Sequence, residues 1–291
     1  MSEKKNILFL INPISGIGRK KDLPLLIQTH LKNHKYEIRY TEYRKHGEEI
    51  ADSEKYNFDA IIAIGGDGTV NEIASALTGS KCALGIIPAG SGNGQARHLK
   101  VPLNVKSAIE RIDAFVPQLY DTGMVNDHFF AGTCGFGFDG HIAELFDKYP
   151  KRGFLSYAKL IAREYKKYQP LSYKIHINGE IIECESLVCA VANSSQFGNG
   201  FTISPDSDMQ DGKFELVMIE KFPFIESMAV GTRFFTQTIK NSKHFRAIQF
   251  ENEIEIEVNT KKPMYFHLDG EPIEDGNKFK ISIRPKSLNI I

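Results

Sequence analysis

A strand, a glycine turn and the start of a helix follow one another in residues 61–72, which read Ile-Ile-Ala-Ile-Gly-Gly-Asp-Gly-Thr-Val-Asn-Glu. The apolar run is typical of a buried strand, and we predict a helix from Thr69 with Glu72 completing a capping box. Such a turn presents backbone N–H groups at the positive end of a helix dipole, which favours a phosphate. A tight turn without a ligand is the alternative, but Asp67 is hard to explain as a spacer between glycines.

The composition indicates a soluble intracellular protein. The chain has 291 residues, enough for two domains, and its 36 Lys and Arg residues balance 36 Asp and Glu residues. Such a balance produces no general attraction to nucleic acid. None of the four cysteines forms a Cys-x-x-Cys pair, and no apolar run reaches the length of a membrane span. We expect a protein of the reducing cytoplasm that binds no nucleic acid.

Strand and helix signals alternate through residues 6–120. Apolar strands are predicted at Asn6–Ile11, Tyr36–Tyr40, Ile61–Ile64 and Ala83–Ile87. Three of them run into glycine-rich segments, at residues 12–18, 65–68 and 88–94. The alternation predicts a parallel sheet covered by helices on both faces. Because ligands of such sheets bind beyond the carboxyl ends of the strands, we expect the three loops to converge on one crevice.

After residue 121 the pattern changes to strands. Residues 173–184 predict a hairpin around Asn178-Gly179, and further apolar runs lie at 187–192, 214–219, 264–268 and 279–283. Alternating apolar residues from Ile248 to Val258 predict a half-buried strand, and helical stretches lie at 154–168 and 225–241. We predict an α/β domain at 1–122 and an antiparallel β-sandwich domain at 123–291, whose last strand could pack back on the first domain.

Six motifs follow one another across both halves of the chain. They are the Asn12-Pro13 turn, residues 65–72, Gly90-Ser91-Gly92-Asn93, Gly135-Phe136-Gly137-Phe138-Asp139, residues 205–214 and Leu268-Asp269-Gly270-Glu271. Together they resemble the diacylglycerol kinase catalytic family, which includes bacterial soluble lipid kinases and sphingosine kinases. The resemblance implies a nucleotide-binding α/β domain of the NAD kinase and diacylglycerol kinase type, followed by a β-sandwich. It also implies an ATP-dependent kinase whose acceptor is a lipid hydroxyl of the diacylglycerol, sphingoid or phospholipid kind.

By this resemblance, ATP binds at the glycine loops of the first domain. The residues implied are Asn12, Thr41, Gly65, Gly66, Asp67, Gly68, Thr69, Asn71, Glu72, Gly90 and Ser91. Thr41 can equally be an ordinary β-branched strand residue. Arg19 and Lys20 can neutralise phosphate charge or form a solvated helix start. Residues 93–96 read Asn-Gly-Gln-Ala, where many bacterial members have Asn-Asp-Phe-Ala. This departure resembles the sphingosine kinase branch and leaves the acceptor open.

The resemblance assigns proton transfer to Asp269-Gly270-Glu271. Phosphoryl transfer to an alcohol needs a carboxylate near the attacking hydroxyl. We expect Glu271 to accept the proton with Asp269 in close support, although the sequence does not decide between them. Taken alone, the segment is also compatible with a hairpin turn and a solvated glutamate.

Residues 205–214 are implied to hold a structural Mg²⁺. By resemblance its ligands are Asp208, Asp211 and the backbone carbonyl of Lys213, and oxygen donors in a tight turn suit this hard cation. Asp-rich turns are also frequent without a metal. The catalytic Mg²⁺ would arrive with ATP, the co-substrate.

Two further features are assigned to the lipid and its membrane. Apolar residues from Phe154 to Tyr168 recur at helical spacing opposite a set of basic residues, Lys159, Arg163, Lys166 and Lys167. This basic amphipathic helix can rest on an anionic bilayer or simply cover a core. Asp139 lies where the family's acceptor pocket begins, and an N-cap for a helix over 142–148 is its alternative role. We expect transient contact with the inner membrane face, and a homodimer is compatible with the sequence.

Two other functions account for part of the sequence. NAD kinase-type phosphotransferases share the Gly-Gly-Asp-Gly-Thr turn, but not the Asn12-Pro13 turn, the Gly90–Asn93 loop or the late Asp-Gly-Glu. A non-catalytic nucleotide or lipid sensor would keep the fold, but it need not keep the carboxylates Asp67, Asp269 and Glu271. The lipid kinase accounts for all of these motifs.

Overall fold

The computed structural model describes residues 3–15, 22–90, 92–149, 153–198, 200–260 and 263–291. The chain divides into two units. The first comprises residues 1–120 together with 286–291, and the second comprises residues 121–285. The end of the chain is therefore part of the first unit, which agrees with the expectation that the last strand of the 123–291 domain could pack back on the first domain.

The first unit is a parallel sheet with helices. Its strands are β1 (Asn6–Ile11), β2 (Lys35–Tyr40), β3 (Ala60–Gly65) and β4 (Ala83–Pro88), and its helices are α1 (Leu23–His30), α2 (His46–Glu54), α3 (Asp67–Leu77), α4 (Gly94–His98) and α5 (Val105–Ala114). The strands pair in parallel in the order β2-β1-β3-β4. Strands β3 and β4 are buried throughout, as expected for a parallel sheet covered on both faces. The α/β fold predicted from the alternation is confirmed, although α4 and α5 were not predicted.

Helix α3 begins at Asp67, two residues earlier than predicted. Its N-cap is Gly66 in an extended conformation, and no side chain of the described residues caps it. The predicted capping box is wrong, because Glu72 Oε1 accepts the Lys45 N–H at 2.8 Å, just before α2. The Thr69 hydroxyl instead accepts a hydrogen bond from Asn12 Nδ2 at 3.0 Å. Thr69 and Glu72, which the capping box would have bonded to the helix start, bond instead to residues distant in the sequence.

The second unit is an antiparallel β-sandwich with helices on one face. Its strands are β5 (Gln118–Val125), β6 (His128–Phe130), β7 (Thr133–Gly137), β8 (Leu171–Ile177), β9 (Glu180–Ser186), β10 (Val188–Ala192), β11 (Gln196–Gly198), β12 (Phe201–Thr202), β13 (Phe214–Ile219), β14 (Phe245–Phe250), β15 (Glu253–Val258), β16 (Met264–Leu268), β17 (Glu271–Asp275) and β18 (Lys278–Ile290), of which β5 starts and β18 ends in the first unit. Its helices are α6 (Phe138–Asp147), α7 (Phe154–Tyr165) and α8 (Ser227–Phe235), with 3₁₀ turns at Phe224–Glu226 and Ile239–Asn241.

The sandwich core lies between two sheets. One sheet has the order β14-β13-β10-β7-β16-β17, and the other contains β18-β15-β8-β9. Phenylalanines from both sheets meet in this core, with the Phe136 and Phe279 rings 4.6 Å apart and the Phe266 and Phe279 rings 5.0 Å apart. The predicted β-sandwich is therefore confirmed. At the end of β18, Ile290 pairs in parallel with Leu84 of β4, within the first unit.

Two turns in the second unit test the strand predictions. Asn178 and Gly179 join β8 to β9 with φ angles of 52° and 79°, which a two-residue hairpin of the I′ type requires, so this prediction is confirmed. The single strand predicted from Ile248 to Val258 is wrong. A reversal at Asn252, with φ 67°, separates β14 from β15, which belong to different sheets. The alternation continued across the turn because Ile248 and Phe250 are less exposed than Gln249 between them, and β15 buries every second residue.

A second apolar cluster covers the outer face of the β10-containing sheet. Helix α7 contributes Leu160 and Tyr165, and Tyr157, Ile161 and Tyr168 pack against the same cluster. The apolar stripe of α7 therefore covers a core, which is the second of the two roles considered for it. None of the helices in the described residues has both the length and the apolar character that crossing a bilayer requires.

Candidate active site

Three loops meet at the carboxyl edge of the first unit's sheet. The Ala89 N–H donates to Gly65 O at 2.8 Å, and the Asn12 N–H donates to Ile64 O at 3.0 Å. Gly66 and Gly90 approach so closely that a Cβ on Gly90 would overlap the Gly66 Cα. Only glycine permits this approach, and the structure brings the predicted loops together.

Asn12 organises the first loop and the start of α3. Its Oδ1 accepts the N–H groups of Ile14 at 3.0 Å and Ser15 at 3.3 Å, while its Nδ2 donates to Thr69 Oγ1. The N-terminus of α3 is thus held beside the loop, without a side-chain cap of its own. First-turn N–H groups of a helix have no partner within the helix and carry its positive dipole end, which suits a phosphate.

The loop after β4 closes on itself through Asn93. Asn93 has φ 52°, its Oδ1 accepts the Gly90 N–H at 2.9 Å, and its Nδ2 donates to Gly90 O at 2.9 Å. Asp67 Oδ1 accepts the Gln95 N–H at 3.4 Å, so the carboxylate joins the start of α3 to the start of α4. The predicted residue Ser91, like Arg19 and Lys20, lies outside the described residues.

The remaining predicted ATP contacts lie near these loops. Thr41 directly follows β2, is buried, and donates its N–H to Ile11 O at 3.0 Å. Gly68 and Asn71 lie in the first two turns of α3 and are half-buried. Glu72 contacts the residue before α2. Their role in nucleotide binding stays a prediction.

In the second unit, the Asp269 carboxylate accepts several backbone hydrogen bonds. Oδ1 accepts the N–H groups of Gly132 at 2.7 Å and Thr133 at 2.8 Å, and Oδ2 accepts that of Ala131 at 2.7 Å. These three bonds tie the carboxylate to the backbone at the start of β7. Asp269 therefore holds the turn in place, while half-buried Glu271 begins β17 two residues later.

His267 of β16 and Asp139 of α6 form a buried pair. His267 Nε2 lies 3.4 Å from Asp139 Oδ2, and the two residues are 4 % and 7 % exposed. Asp139 lies in the first turn of α6, whose N-cap is Gly137, so the alternative role of Asp139 as an N-cap is wrong. Burial raises the pKa of the Asp139 carboxyl, and His267 partly opposes this. Neither Asp139 oxygen has a hydrogen-bond partner among the described residues.

The Asp-rich segment at residues 205–214 is joined to the backbone that Asp269 binds through Asp121 and Asn193. Asp121 Oδ2 accepts the Gly212 N–H at 2.8 Å. Asn193 Nδ2 donates to Asp121 O at 2.8 Å and to Ala131 O at 2.6 Å. Both residues are fully buried, so the network is rigidly packed.

The predicted Mg²⁺ ligands fit a cation in part. Asp208 Oδ1 accepts the Gln210 N–H at 3.0 Å and Asp211 Oδ1 accepts the Lys213 N–H at 2.9 Å, so one oxygen of each carboxylate shapes the turn. Burial, and then the charges of Asp208 and Asp121, raise the pKa of Asp211. A cation would relieve this repulsion. In the described part of the chain, no three His, Cys, Asp or Glu side chains are grouped to hold a metal, so carbonyl or water oxygens must complete the site.

Sequence reasoning missed His267, Asp121 and Asn193. His267 precedes Asp269 by two residues, and this proximity was the available signal. No local pattern distinguishes Asp121 or Asn193, because their partners are 91 and 72 residues away in the chain.

Family comparisons agree with this architecture. Residues 6–125 match the model of the diacylglycerol kinase catalytic domain. Residues 132–291 match the model described as the YegS C-terminal NAD kinase β-sandwich-like domain. The two matches cover the α/β unit and most of the sandwich.

Individual relatives and structures are similar over most of the chain. A diacylglycerol kinase of Bacillus subtilis is 29% identical over 222 residues, which are 74% of this chain and 71% of the relative. A YegS-like lipid kinase of Pectobacterium atrosepticum is 26% identical over 238 residues, 79% of this chain and 77% of the relative. A crystal structure of a Bacillus anthracis protein described as a diacylglycerol kinase superposes with a TM-score of 0.84 at 21% identity, covering 100% of this chain and 98% of the other. That last likeness concerns the fold alone.

Proposed function

The chain belongs to the diacylglycerol kinase catalytic family, and from this premise we propose that it transfers the γ-phosphate of ATP to a hydroxyl of a lipid acceptor. The acceptor is of the diacylglycerol, sphingoid or phospholipid class. The observation that carries the proposal is the N-terminus of α3, which no described side chain caps. The glycine loops after β3 and β4 meet beside it, and Asn12 of the turn after β1 bonds to Thr69.

The first unit binds the triphosphate in this proposal. Backbone N–H groups at Gly66–Thr69 approach phosphate oxygens where glycines leave room, and Asn12 holds the first turn of α3 through Thr69. Asp67 ties this turn to the loop after β4 and would help to hold the end of the nucleotide that carries Mg²⁺. Binding and orientation of this kind supply most of the catalysis in phosphoryl transfer.

Glu271 accepts the proton of the attacking hydroxyl. The hydroxyl oxygen forms the new bond to the γ-phosphorus, the bond to the β–γ bridging oxygen breaks, and ADP leaves with that electron pair. Asp269 already holds three backbone N–H groups, and this structural task is our reason for giving the proton to Glu271 rather than to Asp269. Asp139 is assigned the contact with the acceptor hydroxyl in this proposal, and its buried carboxylate also faces His267 Nε2 at 3.4 Å.

Asp208, Asp211 and the Lys213 carbonyl hold a structural Mg²⁺ in this proposal. A second Mg²⁺, bound with ATP, neutralises charge on the β- and γ-phosphate oxygens. The raised pKa of Asp211 supports the first of these sites, since neighbouring carboxylates contribute to it.

The membrane contact is assigned to an exposed apolar surface formed by Phe224, Ile225 and Met228. These side chains are 51 %, 90 % and 84 % exposed. Lys166 Nζ lies 4.4 Å from the centre of the Phe224 ring, and Lys243 pairs with Glu226 at 3.3 Å. Apolar side chains can enter the headgroup region while lysines face anionic lipids, which supports a peripheral protein at the inner membrane face.

A labelled-ATP assay tests the activity. Purified protein is incubated with Mg²⁺, ATP and a broad lipid extract, and the products are identified by mass spectrometry. Glu271→Gln should abolish transfer, whereas Glu274→Gln, an exposed carboxylate on the same strand β17, should not. The proposal fails if no lipid is phosphorylated and Glu271→Gln leaves ATP turnover unchanged. Phosphorylation of NAD in a parallel reaction would favour the NAD kinase alternative.

Vesicle sedimentation tests the membrane surface. With phosphatidylglycerol-containing vesicles, Ile225→Ser combined with Met228→Ser should weaken binding at least ~10-fold, since each buried apolar side chain contributes about 1.5–3 kcal/mol. Ile181→Ser, at a 57 % exposed position on β9, is the matched control and should bind as the wild type does.

Light scattering of the same preparation checks the homodimer compatible with the sequence.

A further inference from the structure

His267 is held in one orientation beside the catalytic turn. It lies on β16 opposite Gly135 of β7, and its ring packs edge-on against Phe197 with centroids 5.1 Å apart. A Cβ on Gly135 would overlap both Asp139 and His267, so the pair occupies the space that this glycine leaves. The imidazole is therefore packed on several sides.

The two ring nitrogens of His267 have different partners. Nδ1 accepts the Gly270 N–H at 3.3 Å, and Nε2 faces Asp139 Oδ2 at 3.4 Å. An acceptor role at Nδ1 requires an unprotonated nitrogen, whereas a carboxylate favours a proton on Nε2. Only the neutral ring protonated at Nε2 satisfies both contacts.

The Gly270 N–H needs such a partner because of the turn's geometry. Asp269 and Gly270 have φ angles of 50° and 89°, and Leu268 pairs with Glu271 across the turn. In a two-residue turn of this type, the N–H of the second turn residue does not belong to the strand ladder. The Nδ1 atom of His267 is the acceptor for this N–H. His267 therefore contacts Gly270, the residue immediately before Glu271.

Asp139 faces the imidazole from α6, inside an apolar layer. Its pKa is raised mainly by burial, and the nearby Tyr157 and Tyr168 have raised pKa values for the same reason, so both phenols are neutral. Besides the backbone N–H groups of Asp139 and Gly140, His267 Nε2 faces this carboxylate at 3.4 Å. Asp139 therefore selects the tautomer that leaves Nδ1 able to accept.

We propose that His267 is a positioning residue of the catalytic turn. Its Nδ1 holds the Gly270 N–H and thereby orients Glu271, while Asp139 keeps the proton on Nε2. The inference rests on the proposed function, because orienting Glu271 matters to catalysis only if Glu271 accepts the proton. It assigns to His267 a role that acts through the backbone and involves no contact with substrate.

Three substitutions separate the two contacts of the ring. His267→Asn keeps an oxygen near the position of Nδ1 and loses the group that faces Asp139. His267→Gln reaches toward Asp139 and leaves the Gly270 N–H without its acceptor, and His267→Leu loses both contacts. We expect His267→Gln and His267→Leu to lower kcat by ~10- to 100-fold with KM for ATP unchanged, since a small misplacement can cost that much. His267→Asn should recover at least ~10-fold of the kcat lost by His267→Gln. Equal losses in all three variants, or a wild-type kcat for His267→Leu, would overturn the proposal.

A second readout does not depend on activity. Long-range ¹H–¹⁵N spectra of uniformly ¹⁵N-labelled protein report the tautomer of each ring, and His267→Asn identifies the His267 signals among the nine histidines. An Nε2–H tautomer at neutral pH, with a Gly270 amide signal that shifts in His267→Leu and less in His267→Asn, supports the inference. An Nδ1–H tautomer overturns it. If the wild type phosphorylates no lipid, the proposed function fails while the spectra still decide the role of His267. Thermal melts of each variant establish that it is folded.

Discussion

The Asp269 carboxylate accepts the Gly132 N–H at 2.7 Å, through the same oxygen that accepts the Thr133 N–H at 2.8 Å. A carboxylate bound in this way joins two strands of the sandwich across the start of β7 and the end of β16. Its neighbour Glu271 is half-buried at the start of β17. The two carboxylates of the Asp-Gly-Glu motif therefore differ in position, one bonded to three backbone N–H groups of the turn and the other at the start of the next strand.

Asp269→Asn should destabilise the fold. The amide nitrogen would face backbone N–H donors that the carboxylate oxygens accept, leaving at least one donor unpaired at a cost of about 1–3 kcal/mol. Urea denaturation measures this loss. Glu271→Gln, which changes the same chemical group two residues away, should leave the free energy of unfolding nearly unchanged. Equal stability of Asp269→Asn and wild type would show that the three N–H contacts contribute little.

Gly90→Ala should disrupt the nucleotide loops. The added Cβ would overlap the Gly66 Cα, so the loop after β4 must move away from the start of α3. We expect a loss of stability of about 1–3 kcal/mol and a higher KM for ATP. The matched control is Gly231→Ala in α8, where a Cβ meets nothing within 4 Å. That variant should be more stable by about 0.5–1 kcal/mol, because alanine favours a helix. Unchanged ATP affinity in Gly90→Ala would contradict the loop geometry.

Asp139→Asn should stabilise the protein in a pH-dependent way. Burial raises the pKa of the Asp139 carboxyl above its ordinary value, so the folded state holds the proton more tightly than the unfolded state. Wild-type stability is therefore lost as the pH rises from the ordinary aspartate pKa of about 3.9 through the folded-state pKa. Asparagine has no charge to bury, so its stability relative to wild type should be greatest at pH 7 and smaller as the pH falls.

Urea denaturation of the wild type and of Asp139→Asn between pH 5 and pH 8 tests the direction of this pH dependence. A gain that grows toward low pH would mean that Asp139 is stabilised as a carboxylate in the folded protein.

Mg²⁺ should raise the thermal midpoint of the protein in the absence of nucleotide. A cation at Asp208 and Asp211 binds only the folded turn, so chelation with EDTA should reverse the gain. Asp211→Asn should abolish most of it. Asp206→Asn is the control in the same turn, because Asp206 pairs with Lys240 at 2.6 Å and is not among the proposed ligands. A gain that survives Asp211→Asn would place the ion elsewhere.

Local patterns predicted a large part of this molecule. The alternation of strands and helices, the glycine loops after β1, β3 and β4, and the Asn178-Gly179 hairpin all depend on residues close together in the chain. The predicted capping box and the single strand from Ile248 to Val258 failed for physical reasons. Glu72 bonds to Lys45 instead, and two strands with the same alternation look like one.

The sequence by itself determined the fold class, the family and the identity of the loops, because periodicity and turn chemistry act over a few residues. Only the tertiary structure decided which buried polar groups meet. The Asp269 carboxylate accepts the N–H of Ala131, 138 residues away in the chain. His267 of β16 faces Asp139 of α6. A buried polar group must find a partner wherever the packed chain supplies one, and the distance along the sequence carries no information about that choice.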